Sequence, residues 1–151
     1  MISPPRKSKS KQLTDAVAKW IGEAFVVPVR SVLAPSFDLR KISAREIRVW
    51  PSNREVELLT RGGDAQAEYE LAVAVVERLK PSDDEDVLCD ELLALAESVG
   101  DNLMTVEFDV VGGVATVVGF THEPLYDREL LESHRIFGAG IAVQLSRVES
   151  P

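Results

Sequence analysis

Cys89 is the only cysteine in 151 residues, so an internal disulfide framework is excluded. Its neighbours Val87, Leu88, Leu92 and Leu93 mark it as a small hydrophobe on a helix. No strong base or cation stands beside it in the sequence to make a nucleophile of it. Histidine is equally scarce, with His122 and His134 the only two. Apolar runs are short: none approaches the length of a membrane span, and the N-terminus lacks the apolar core of a signal peptide. A chain made in the cytosol, with no membrane role, is expected. The length suits one domain with one core.

What is present is acid, unevenly placed. The chain holds 17 Lys and Arg against 25 Asp and Glu, a formal net charge of −8. Four of the bases, Arg6, Lys7, Lys9 and Lys11, fall before the first acid, Asp15. Residues 13–151 therefore carry 13 bases against 25 acids, or −12. A body of that charge repels phosphate, so any grip on nucleic acid must come from the N-terminal tail. Residues 1–11 combine Pro, Ser and like charge and have no apolar face, which predicts a disordered basic arm ahead of a single domain over residues 12–151.

Hydrophobic periodicity then sets out the domain. Leu13, Val17, Trp20, Ile21, Ala24 and Phe25 recur at helical spacing, predicting an amphipathic helix over 12–26 that Pro28 ends. Residues 28–43 read as irregular, with a hint of a strand at Val29, Val32 and Leu33. Ile47 and Val49 alternate with Arg48 and Trp50, and Pro51-Ser52-Asn53 is expected to turn that strand into the next. Two alternating runs follow across a Gly-Gly-Asp turn. Val56, Leu58 and Thr60 oppose Glu55 and Glu57, and Tyr69, Leu71, Val73 and Val75 oppose Glu68 and Glu70. A period of two held over both predicts an antiparallel sheet with one buried and one acidic face.

Ser82, with Glu85 three residues on, predicts the N-cap of a second helix, with Asp83, Asp84 and Asp86 at its positive end. Its stripe is Val87, Leu88, Leu92, Leu95, Ala96 and Val99, and Gly100 is the expected stop. Gly112-Gly113 predicts a hairpin between residues 104–111 and 114–120. A loop or short turn runs to Leu131, and a long central strand closes the chain, with Phe137, Ala139, Ile141, Val143 and Leu145 facing inward. The fold class is α+β: a mainly antiparallel sheet with two principal helices packed on it.

Catalytic chemistry finds little footing. His122, Glu123, Asp127 and His134 match no closed zinc spacing, and a loop with acids and two histidines is ordinarily solvated surface. Gly62-Gly63 and Gly112-Gly113 lack the helix start of a phosphate loop. The acids from Asp83 to Asp86 suit a helix N-terminus, and no calcium loop follows. Gly138 and Gly140, alternating on one strand face, permit close approach of a backbone or a packed helix, with helix packing inside the subunit the simpler reading. No catalytic residue, metal or cofactor is expected.

Several segments together resemble the tail terminator (tail completion) proteins of long-tailed bacteriophages and prophages. They are the Arg54-Glu55-Val56-Glu57-Leu58-Leu59-Thr60-Arg61 strand, the Glu68-Tyr69-Glu70-Leu71 strand leading to an acid-capped helix, the Glu123-Pro124-Leu125-Tyr126-Asp127 turn, and the Arg135-Ile136-Phe137 strand. The resemblance covers most of the chain from about residue 13 onward, and its motifs are structural. It implies a virion protein of the tail and neck, assembled in the host cytoplasm as a hexameric ring at the head-proximal end of the tail tube. Such a ring stops tube polymerisation and joins tail to head. Its partners are further copies of itself, the tail tube protein and the head connector or stopper protein, while DNA passes through without specific binding. Glu55, Glu57, Glu68 and Glu70 are then the candidate lumen or interface face, and Arg6, Lys7, Lys9 and Lys11 the candidate partner-binding arm. Two other readings stay open: a head-side connector or stopper of the neck, and a small cytosolic module whose acidic face captures a basic partner.

Overall fold

The computed structural model describes residues 2–3, 6–33, 39–110, 112–122 and 125–150. Glu123 and Pro124 of the expected turn, Val111 of the expected hairpin, and residues 34–38 of the irregular stretch lie outside them. The elements run α1 (Lys9–Ala24), β1 (Val29–Ser31), a 3-10 turn (Leu39–Lys41), β2 (Glu46–Leu58), β3 (Ala65–Arg78), α2 (Glu85–Leu103), β4 (Glu107–Val110), β5 (Gly113–Thr121), α3 (Arg128–His134) and β6 (Ile136–Glu149). The strands form one sheet in the order β1-β2-β3-β6-β5-β4. Among the described residues, only the short β1–β2 pair is parallel. The fold is α+β.

Both long helices pack on one face of the sheet. Leu13, Val17, Ala18 and Ile21 of α1 and Leu92, Ala96, Val99 and Leu103 of α2 meet the inward rows of β3 and β6, from Ala67 to Val75 and from Phe137 to Leu145. The sheet curls around α1: this helix touches β1 and β2 near one edge and β4 at the other, where Trp20 stands edge-on to Phe108 at 6.5 Å. β6 lies between β3 and β5, as its long alternation predicted. A smaller cluster covers one end of the opposite face, where Ile42, Ala74, Val76 and Ile136 are joined by Leu39, Trp50 and Leu130.

Four local expectations are corrected. Pro51-Ser52-Asn53 is a bulge inside one continuous strand, not a turn, because the register slips by one residue between Pro51 and Asn53 while pairing with β3 continues. Ile47 N–H donates to Pro28 and Val32 N–H donates to Val49 C=O, so residues 47 and 49 turn their backbone groups toward β1. Pro51 has the same parity just past the end of β1, where a missing N–H breaks no ladder bond. The cap of α2 is Asp84, whose Oδ1 accepts from Val87 N–H at 3.3 Å, rather than Ser82. Asp caps as well as Ser, and this choice places Glu85 and Asp86 in the first turn, at the positive end of the dipole. Gly100 does not stop the helix: it lies buried within it, where a Cβ would sit 2.8 Å from Phe120 Cε2. Lastly, α1 starts at Lys9, capped by Ser8 Oγ, so Lys9 and Lys11 of the expected arm lie in the helix.

Candidate interaction surface

Beyond the small cluster and α3, the face turned away from the two long helices is acidic. Antiparallel register places directly paired residues on the same side of a sheet, and Glu55 is paired with Glu68, Glu57 with Gln66, and Asn53 with Glu70. All four glutamates named from the sequence therefore share one face. The row continues from Glu68 to Ser146, Thr116 and Glu107, so one line of residues crosses β2, β3, β6, β5 and β4 with carboxylates near both rims. Asp109 lies on that face too, two residues from Glu107. Toward this end its positions on β2, β3 and β6 are Asn53, Glu55, Glu57, Gln66, Glu68, Glu70, Gln144, Ser146 and Val148, with no base among them, while Arg48 and Arg78 share the face at its other end, beside the small cluster. Glu55, Glu57 and Glu68 are exposed and Glu70 half-buried. Such a surface repels phosphate and attracts cationic side chains.

Directly behind it, on the helix face, is an ionic cluster. Glu149, its side chain 5% exposed, accepts at Oε1 from Tyr69 hydroxyl and from Arg147 Nε (2.9 Å), and at Oε2 from Arg54 Nη2 (3.0 Å) and Lys9 Nζ (3.0 Å). The Tyr69 oxygen in turn accepts from Arg54 Nε (3.1 Å) and Arg147 Nη2 (3.2 Å), and both guanidinium groups lie over its ring. Burial pushes the Glu149 carboxyl up, but the Tyr69, Lys9 and Arg147 contacts outweigh it and hold the pKa down, at about 2. Sequence reasoning missed this cluster. The signal was present, because Arg147 and Glu149 continue the inward parity of Phe137 to Leu145, and Arg54 shares the parity of Val56.

The candidate arm is engaged within the chain. Lys7 reaches Asp15 Oδ2 at 2.7 Å, Lys9 is held by Glu149, and Lys11 reaches Asp15 Oδ1 at 2.8 Å and Ser31 Oγ at 2.6 Å. Arg6 is exposed. Burial raises the Asp15 carboxyl, and hydrogen bonds from Lys11, Lys7 and Ser31 bring it well below the usual carboxylate range.

Of the residues weighed for catalysis, Glu123 lies outside the described residues, and His122, Asp127 and His134 are not brought together as a metal-holding group. Asp127 caps α3, accepting from Leu130 N–H at 3.0 Å. His134 ends that helix, and His122 stands edge-on to Phe120 at 5.3 Å. Among the described residues no group of three His, Cys, Asp or Glu is placed to hold a metal ion. Cys89 borders a cleft of about 510 Å³ with Glu85, Asp86, Asp90 and Arg128. Burial, then Glu85 and Asp86, push its thiol pKa up, with Arg135 opposing. Gly138 takes the close approach of α3, where a Cβ would lie 3.2 Å from Leu130 Cδ2, while Gly140 faces open space. Among the described residues no helix is long and apolar enough to cross a membrane.

Compared with known proteins, the chain matches no family model and no curated sequence.

Proposed function

We propose that this protein is a structural component of a phage neck, a tail terminator that forms a ring at the head-proximal end of the tail tube, stops tube growth and joins tail to head. The observation that carries the reading is the base-free acidic row from Glu55 across the sheet to Glu107. Turned toward a channel and repeated around a ring, that face gives exiting DNA a wall of like charge, along which phosphates slide because nothing neutralises them. The element order and the segments named in the sequence supply the rest of the support. Assembly on the tube end, rather than free in solution, follows from the charge: acidic subunits that meet edge to edge repel each other and lose rigid-body entropy, which a templating tube offsets.

Deleting the gene tests the reading. Tails of uncontrolled length that fail to join filled heads are expected, and purified protein added to bare tubes is expected to cap one end. Unattached tails of normal length would favour the head-side connector, and normal infectious particles would defeat both.

A further inference from the structure

Among the described residues, a strand covers the outer edge of β2 for only part of its length. β1 pairs with Ile47, Arg48 and Val49 and then ends. Past the bulge the parity of the strand reverses: Asn53, Glu55 and Glu57 take the inward positions toward β3 that even-numbered residues held before it. Arg54, Val56 and Leu58 therefore turn their N–H and C=O groups outward, and no described strand lies beside them. An open edge is a template for another strand, and proteins ordinarily blunt it with Pro, Lys or a bulge. Here Pro51 and the bulge protect the middle of the edge and leave its end open to every described strand.

The side chains along that end define what fits. Val56 and Leu58 are 50% and 67% exposed on the helix face, while Glu55 and Glu57 are exposed on the acidic face. We propose that residues 54–58 are a docking strand for an extended segment of a protein partner that alternates Lys or Arg with Val, Ile or Leu. The added strand takes three N–H and three C=O groups into a ladder, sets its apolar side chains beside Val56 and Leu58, and sets its basic side chains beside Glu55 and Glu57. A second copy is disfavoured. Every antiparallel register that pairs two or more of the outward residues with their counterparts sets glutamate opposite glutamate on the acidic face. The inference is independent of the neck reading, since it needs only the edge.

The test uses the full chain, labelled with nitrogen-15 and titrated to millimolar levels with a synthetic Lys-Val-Lys-Val-Lys-Val peptide capped at both ends. Shift changes and slowed hydrogen exchange are expected at the amides of Arg54, Val56 and Leu58, with a Glu-Val alternating peptide at least about tenfold weaker. Val56→Pro removes an outward N–H in the setting that already tolerates Pro51, so binding is lost while the unfolding midpoint holds. Glu55→Lys with Glu57→Lys, which leaves the backbone untouched, should reverse the preference between the two peptides. Absence of binding, equal response to both peptides, or shifts confined elsewhere overturns the proposal. So does a concentration-dependent dimer in sedimentation that Val56→Pro abolishes, because the edge then belongs to a second copy.

Discussion

Replacing Glu149 with alanine removes, among the described residues, the one carboxylate in a group that otherwise holds Arg54, Arg147, Lys9 and the Tyr69 hydroxyl. Arg147 cannot turn to water, since its side chain is 0% exposed and its Nε lies 2.9 Å from the lost oxygen. Breaking a buried pair by removing one partner costs about 3–5 kcal/mol, a large share of the ~5–15 kcal/mol that stabilises a domain. With a urea slope of about 2 kcal/mol/M, the midpoint of chemical unfolding falls by roughly 2 M. Arg147→Met combined with Glu149→Met should lose less than Glu149→Ala alone, because the buried cation goes together with its carboxylate. Acid acts through the same group. A carboxyl held at about 2 when folded and near 4.5 when unfolded stabilises the fold fully above pH 4.5, and that contribution is lost as pH falls toward 2. The stability of Glu149→Ala should therefore change less than that of the parent chain across this window. A loss below about 1 kcal/mol, the value of an exposed ion pair, would refute the reasoning by showing that water reaches the cluster.

Three further outcomes are expected. Gly100→Ala adds a Cβ at 2.8 Å from Phe120 Cε2 and should cost about 1–3 kcal/mol by overpacking, most of it recovered when Phe120→Leu is added. Asp84→Ala should cost about 1 kcal/mol of thermal or chemical stability as a lost cap, whereas Ser82→Ala stays within about 0.5 kcal/mol, in the range of neutral surface changes. Glu68→Lys places a cation directly opposite Glu55 and should raise stability by about 0.2–1 kcal/mol, with a gain that shrinks as salt is added.

Periodicity carried most of the architecture into view. The inward rows of β3 and β6, the two long helices and the acidic face of Glu55, Glu57, Glu68 and Glu70 all follow from periods of two and of about 3.6. What it did not show were events that cost the chain no change of pattern. A bulge at Pro51 and Asn53 looks like a turn because both use Pro, Ser and Asn, and only the pairing partner distinguishes them. Gly100 reads as a stop until Phe120 arrives from another strand to occupy the missing Cβ. The charges at Arg54, Arg147 and Glu149 were passed over because inward charged residues make sense only as a set, and that set is assembled from positions 95 residues apart. Val56 and Leu58 alternate as if buried, yet no described helix covers them, and the sequence records the pattern rather than the cover.

The placement of β6 also sets an order of events for a chain leaving the ribosome. β1, β2 and β3 form one half of the sheet, β5 and β4 the other, and β6, emerging after all of them, is the strand that pairs with both. Until it arrives the two halves share no ladder, α1 has no Glu149 to hold Lys9, and the inward edge of β3 stays unpaired. Local elements form early, but closure waits on contacts of long sequence separation, which makes folding slow relative to helical proteins of this size. Nascent chains halted before residue 136 should accordingly be protease-sensitive and prone to pair with one another, a hazard that ends as the last strand slots between the halves.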